Sequence, residues 1–350
     1  MIARRWQATC YVWRMAASGF DRALGVALSF FCVVLGSGCA RERSQPVYYG
    51  QPAPGGTAVG QPATAQPGVP APVATVAPTV AVSANDPVIH HDIAFLRGRA
   101  QQVLNELVAA LPAQQQSRVN GIPLVVDATP GEVNAFASCS GSSPAMAISD
   151  GLLQIQSQLA RFRAYDELAG TNKVGEYIGV IARSARPKQP LPEVPAGFAD
   201  PRIDFDARKV TRQYQVLDEQ LAFVMGHELG HHYLGHLPCT ALSPLNLAQL
   251  GAVLAGAVPA FNQPNEVAAD MVGINNTLTL GSRRADYRLT EGGALLTMQF
   301  FSGLDQLTPN DILFGFERSH PPPQLRTPII QQTAATWRAT GGVGLPILGF

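Results

Sequence analysis

Two histidines and a glutamate in one short stretch, His227-Glu228-Leu229-Gly230-His231, could do chemistry in this 350-residue chain. On a helix, residues four apart share a face, so His227 and His231 can grip one metal ion between them. Glu228 lies about a quarter-turn round, where its carboxylate can take a proton from a water activated by that ion. The spacing is that of zinc-assisted hydrolysis. The alternative is a histidine-bearing amphipathic helix that holds no metal, but the chain has only 7 histidines with which to build the pattern by accident.

Catalytic zinc usually has three protein ligands and an open fourth position. A third histidine in the same helix would fall at position 237, after a glycine at 234, and both positions are leucine (Leu234, Leu237). His232 and His236 are close by but out of register with the His227/His231 face. A glutamate from a second helix is the other standard solution, and Asn265-Glu266-Val267-Ala268-Ala269-Asp270 supplies one. Glu266 and Asp270 share a helix face. Glu266 is therefore expected as the third ligand, with Asp270 orienting a ligand histidine through its free ring nitrogen.

Here the residues resemble a known family, the HtpX-like and CAAX-prenyl-protease-type gluzincins, which include BepA-type periplasmic and OMA-type mitochondrial peptidases. Glu266 to Asp270 resembles the family's E-x-x-A-D segment. Val133-Asn134-Ala135-Phe136-Ala137 resembles its N-A-F-A strand, and Ile148-Ser149-Asp150-Gly151-Leu152-Leu153 its strand-to-helix T-G-L-L segment. Ser319-His320-Pro321-Pro322, followed by Arg326, resembles the late T-H-P-P…R motif. With the histidine motif these make five segments in the family's order, spread over about residues 95 to 335. The resemblance implies a zincin-type fold, peptide-bond hydrolysis with one zinc per chain, and His320 as a donor to the oxyanion, with Arg326 as a second.

The elements that must position these groups give an α+β domain, mostly helical, with a small sheet beside the metal helix. Asp92 to Leu111 repeats Leu96, Ala100, Val103/Leu104 and Leu107 at helical spacing and stops at Pro112. Ile122 to Asp127, Glu132 to Ser138 and Ala145 to Ser149 read as strands separated by turns. Helices are expected at Ala207 to His236, Asn265 to Leu278, Glu291 to Leu304 and Pro323 to Trp337. Residues 170 to 206, rich in Pro and Gly, read as a loop inserted ahead of the metal helix, either folding over the cleft or forming a surface excursion, with its place near an active site favouring the former. Leu245 to Phe261 is apolar but short and interrupted by Asn246 and Gln249, so it reads as a buried helix rather than a membrane span.

The first 38 residues read as an export signal. The apolar run Ala23 to Leu35 follows Arg14 and Arg22 and ends in Leu35-Gly36-Ser37-Gly38-Cys39. Small residues before a cysteine fit lipoprotein processing, with Cys39 as the lipidated first residue; an ordinary secretory signal is the alternative. Ala40 after that cysteine suggests the outer membrane of a Gram-negative cell, facing the periplasm. Residues 39 to 86 form a Pro/Ala/Gly-rich tether, uncharged from Ser44 to Asn85 and unable to bury a core. As a random coil it would span roughly 35–40 Å. The catalytic domain is then 87 to 350. Cys139 and Cys239 are the pair left in an oxidising compartment, either bridged or two free thiols.

The net charge of +0 carries no basic patch and argues against nucleic acid. The expected activity is zinc-dependent endopeptidase action on unfolded or misassembled envelope proteins, with Glu228 as general base. A substrate peptide would add as a strand to an edge formed by Ala145 to Ser149. The rival readings are a zinc-stabilised chaperone-like module, which has no need of Glu228, and a latent peptidase blocked by His320 or by the insertion.

Overall fold

In a computed structural model of the chain, residues 86–140, 142–239, 263–308 and 314–342 are described. The expected signal segment with Cys39, the tether as far as residue 85, and the apolar stretch Leu245 to Phe261 lie outside them. Described helices dominate: α1 (Ile93–Ala110), α2 (Ala113–Val119), α3 (Asp150–Ala169), α4 (Lys173–Ser184), α5 (Pro201–Asp204), α6 (Ala207–Tyr233), α7 (Gln263–Arg283), α8 (Gly292–Leu307), α9 (Gly315–Ser319) and α10 (Pro323–Ala339). Three strands, β1 (Leu124–Asp127), β2 (Ala135–Ser140) and β3 (Ser143–Ser149), lie between α2 and α3.

The strands form one sheet in the order β1-β3-β2. β1 runs parallel to β3 with Leu124 opposite Met146, and β2 runs antiparallel to it with Ala135 opposite Ile148. β3 is therefore central, and each of its seven residues is buried. The expectation that a peptide would add to β3 is corrected here, because both of its sides are already paired. The edge nearest the metal helix belongs to β2. Ser149 ends the sheet and starts α3 with one hydroxyl, which accepts from Leu152 N–H (3.1 Å) and from Asn134 N–H (2.9 Å). The same oxygen thus caps a helix and pins the start of β2.

α6 is the central element. Its 27 residues make a rod about 40 Å long, and from Val216 to Tyr233 every residue is buried. Such a helix must be covered all round. It packs on α3, α7, α8 and β2. Asp206 caps its start, accepting from Arg208 N–H at 2.9 Å. α6 and α7 approach closely because small residues meet at the crossing. A methyl on Gly226 would lie 3.2 Å from the Gly273 carbonyl oxygen, and one on Gly230 would run into the Val272 side chain. That closeness brings the carboxylates of α7 within reach of the histidines of α6.

The segment 170–206 is not the plain loop expected. Asn172 caps α4, whose Val174, Tyr177, Ile178 and Ile181 sit at helical spacing and are buried in the main core. Only the stretch from Arg186 to Gly197 is Pro/Gly-rich and irregular. Pro190 to Val194 wall a cavity of about 650 Å³ with His90 and His91, ahead of α1, and with Gln158 and Arg161 in the middle of α3, and none of the expected metal ligands lines it.

Candidate metal centre

His227, Glu228 and His231 lie in the last two turns of α6, and Glu266 and Asp270 in the first two turns of α7. His227 Nε2 and His231 Nε2 are 3.1 Å apart. Glu266 brings one oxygen to 3.3 Å from His227 Nε2 and the other to 3.4 Å from His231 Nε2. Ligands about 2.0–2.1 Å from a tetrahedral zinc are separated by about 3.3 Å, so the triangle fits the ion. Glu266 Oε2 is buried with no hydrogen-bond donor, which an ion would remedy. Two imidazoles and a carboxylate are also the donor set that suits zinc.

Behind this triangle, Asp270 accepts from His227 Nδ1 at 3.0 Å, as its spacing from Glu266 predicted. This bond leaves Nε2 of His227 as the free nitrogen. Asp270 is itself held by Arg326 through Nη2 (2.6 Å) and Nε (3.0 Å). Arg326 was expected to face substrate, and the structure corrects that. Its side chain is 2% exposed, with the guanidinium 5.9 Å from the Phe223 ring and 5.4 Å from the Phe316 ring. It neutralises Asp270 from behind, its Nε and Nη2 both committed to that carboxylate.

His320, at the end of α9, does face the site. Its Nε2 lies 3.3 Å from Glu228 Oε1, and its ring centroid is 5.2 Å from that of His227. A carboxylate there requires the neutral ring to carry its proton on Nε2. Its Nδ1 lies 2.8 Å from Ser319 Oγ and 3.2 Å from the Phe316 carbonyl oxygen, which hold the ring in place. Ser319 also reaches Asn134 Oδ1 (3.2 Å), and Phe316 N–H donates to the Val133 carbonyl (3.0 Å). The start of β2 is thereby tied to the helix that presents His320. Its far end is tied to the end of α6 by a Cys139–Cys239 disulfide with Cα atoms 5.4 Å apart. The bridged alternative for this pair is the one observed, and β2 runs along the site between its two anchors.

The electrostatics suit a bound cation. Burial alone would lower His227, but its bond to Asp270 and the Glu266 carboxylate beside it win and raise it to about 9. His231 drops to about 3, through burial and then the charge on His227. Burial would raise Glu266, yet the histidines hold it at about 2, and Arg326 and His227 hold Asp270 well below the usual carboxylate range. Burial would also raise Glu228, but the bond from His320 and the charge on His227 keep it below its ordinary value. With no metal, the anions draw a proton onto His227. The same field favours a divalent ion.

The chain matches the model of peptidase family M48 over residues 96–334. It belongs to that family. M48 peptidases are zinc-dependent peptide hydrolases, and the mostly helical domain with its three-strand sheet agrees with an M48 zincin-type fold. Curated proteins and solved structures gave no match. Within the M48 domain, the expected ligands come together. The sequence places Asn134 and Ser319 within motifs without assigning them a role, and it sets His236 aside although its Nδ1 lies 3.0 Å from His231 Nδ1. Gly235, a helix-stop residue directly before it, was the available signal.

Proposed function

We propose that this M48 protein is a zinc-dependent metalloendopeptidase in which His227, His231 and Glu266 hold one zinc per chain and Glu228 is the general base. The ligand triangle, with Glu228 anionic beside it, is the observation that carries this reading. Bound zinc would supply Lewis acidity to the attacking water and the scissile carbonyl. Glu228 takes the proton from the water and hands one to the leaving amine. His320 donates from Nε2 to the oxygen that becomes the oxyanion, and Asp270 with Arg326 keeps His227 oriented. The free edge of β2 supplies main-chain groups on which an extended peptide can lie.

The test is digestion of casein or an unfolded porin by the zinc-loaded protein. Glu228→Gln should retain zinc and fold while cleavage falls by about 10²–10⁴-fold, the usual worth of a general base. Unchanged cleavage by this variant would sink the mechanism; retained zinc with no cleavage by either form would favour the chaperone-like module. The His320–Glu228 contact supports a second reading, a latent enzyme whose base is held until His320 swings away. His320→Ala separates the two, since loss of an oxyanion donor slows cleavage and loss of a latch speeds it.

For its setting we propose the bacterial envelope, with Cys39 lipidated in the outer membrane and unfolded or misassembled exported proteins as substrates. The support is the small-residue run before Cys39, the uncharged tether, and a disulfide of a kind that persists in oxidising compartments. Cys39→Ala should abolish acyl labelling. Wild-type protein recovered wholly soluble, with its mature N-terminus elsewhere, would remove the anchor from this proposal.

A further inference from the structure

The metal helix ends in a way that returns the chain to the metal site. Gly235 N–H donates to the His232 carbonyl (3.1 Å) and His236 N–H to the His231 carbonyl (2.9 Å), with Gly235 at φ 79°. That pair of bonds is a Schellman cap, and it needs a residue free to adopt positive φ. Had the helix continued through residue 236, His236 would have left the His227/His231 face. The reversal instead lays its ring against His231, with centroids 5.1 Å apart and planes at 68°.

The two rings meet through their Nδ1 atoms at 3.0 Å. The far side of His231 is the side of the ligand triangle, where Nε2 faces His227 and Glu266. A ring that offers Nε2 to an ion must carry its proton on Nδ1, and that proton needs an acceptor. Neutral His236, with its own proton on Nε2, provides one. The short segment that carries His236 is held at both ends. The cap fixes one end, and the Cys139–Cys239 bridge to β2 fixes the other. His232 adds a third attachment, donating from Nε2 to the Ala145 carbonyl at 3.0 Å.

We propose that His236 is the positioning residue for His231, accepting the Nδ1–H of that ring and so fixing the tautomer and orientation in which Nε2 meets the metal. His227 is served by a carboxylate, Asp270, while His231 is served by an uncharged imidazole. The inference rests on the metal-site reading of His227, His231 and Glu266.

Zinc affinity of the full-length protein, measured by competition with a chromophoric chelator, tests it, together with the visible spectrum of the cobalt-substituted form. His236→Leu should weaken zinc by about 10–100-fold, the usual effect of removing the partner of a ligand histidine, and should alter the cobalt spectrum. His236→Asn should recover most of the affinity, because its Oδ1 can accept where Nδ1 did. Zinc-free His236→Leu should unfold at the wild-type temperature. Wild-type affinity in His236→Leu would overturn the proposal. So would an equal loss in the Leu and Asn variants accompanied by a lower unfolding temperature, which would mark a packing role. A wild type that retains no zinc would overturn the metal-site reading itself and this inference with it.

Discussion

Asp218 and Glu228 stand ten residues apart on the same helix, about three turns, and both are buried, at 0% and 2% exposure. Their surroundings differ in kind. Asp218 is enclosed by Arg99 from α1, by Arg284 at 2.5 Å and by the hydroxyl of Tyr287. Lys209, earlier on the helix, is likewise met by Asp204 at 2.6 Å and Gln213 at 2.5 Å. Around Asp218 and Lys209, in the first half of α6, a full charge meets an opposite full charge from a neighbouring element. In the other half, Glu228 and Glu266 face imidazoles, and the one guanidinium bonded there belongs to Asp270. A buried acid paired with arginine is finished as a structure. Acids that converge with imidazole nitrogens, which can give up a proton to a metal ion, leave room for an added cation, so burial of charge alone does not mark a functional site.

Removing one acid from each half should separate the two roles and gives the largest effects. Asp218→Ala leaves Arg99 and Arg284 without their shared anion and should cost about 3–5 kcal/mol of stability in denaturant or thermal unfolding. Zinc affinity and cleavage by the folded fraction should not change. Asp270→Ala leaves Arg326, at 2% exposure, without an anion and should cost a similar amount. It should in addition weaken zinc by about 10–100-fold, because His227 loses the acceptor that orients it. Equal loss of zinc in both variants would break the comparison, and so would wild-type zinc affinity in Asp270→Ala.

The sequence showed the functional half of α6 more plainly than the structural half, for a physical reason. Ligands of one ion must share a face, so the spacings 227/231 and 266/270 are constrained within single helices and can be read locally. Asp218, Arg99 and Arg284 are far apart in the chain, and only the packing of α1, α6 and the segment after α7 brings them together. The same limit hid the role of Arg326, whose place behind Asp270 is a matter of how α10 meets α7. It also hid the central position of β3, which depends on the non-local parallel pairing with β1. Two misses were legible. Val174, Tyr177, Ile178 and Ile181 carry the spacing of a helix, but the prolines that follow from Pro187 onward outweighed it and the whole insertion read as loop. Gly235 is a helix-stop residue, and a helix carried through it to His236 puts that histidine out of register, whereas a helix ended before it returns the ring to His231.

The smallest expected effect concerns protons and sharpens the same contrast. In the metal-free protein His227 titrates near 9, raised from the ordinary 6.5 of an unfolded chain. A raised histidine pKa means that the native state holds the proton more tightly than the unfolded one. Its contribution to the stability of the metal-free protein is therefore complete below about pH 6.5 and is lost as pH rises through about 9. Zinc must displace that proton to reach Nε2. Apparent zinc affinity should then rise by about tenfold per pH unit between pH 7 and 8.5 and level off above about 9. Calorimetry in buffers of different ionisation enthalpy should count close to one proton released per zinc at pH 7.5. Asp218→Ala should leave that count unchanged, since no proton of its arginine cluster lies in the path of the ion. Asp270→Ala should lower it, because His227 without its carboxylate loses a main support of its raised pKa. A proton count near zero in the wild type would mean that His227 is already neutral in the metal-free state, and the account of this half of α6 as a field awaiting a cation would fail.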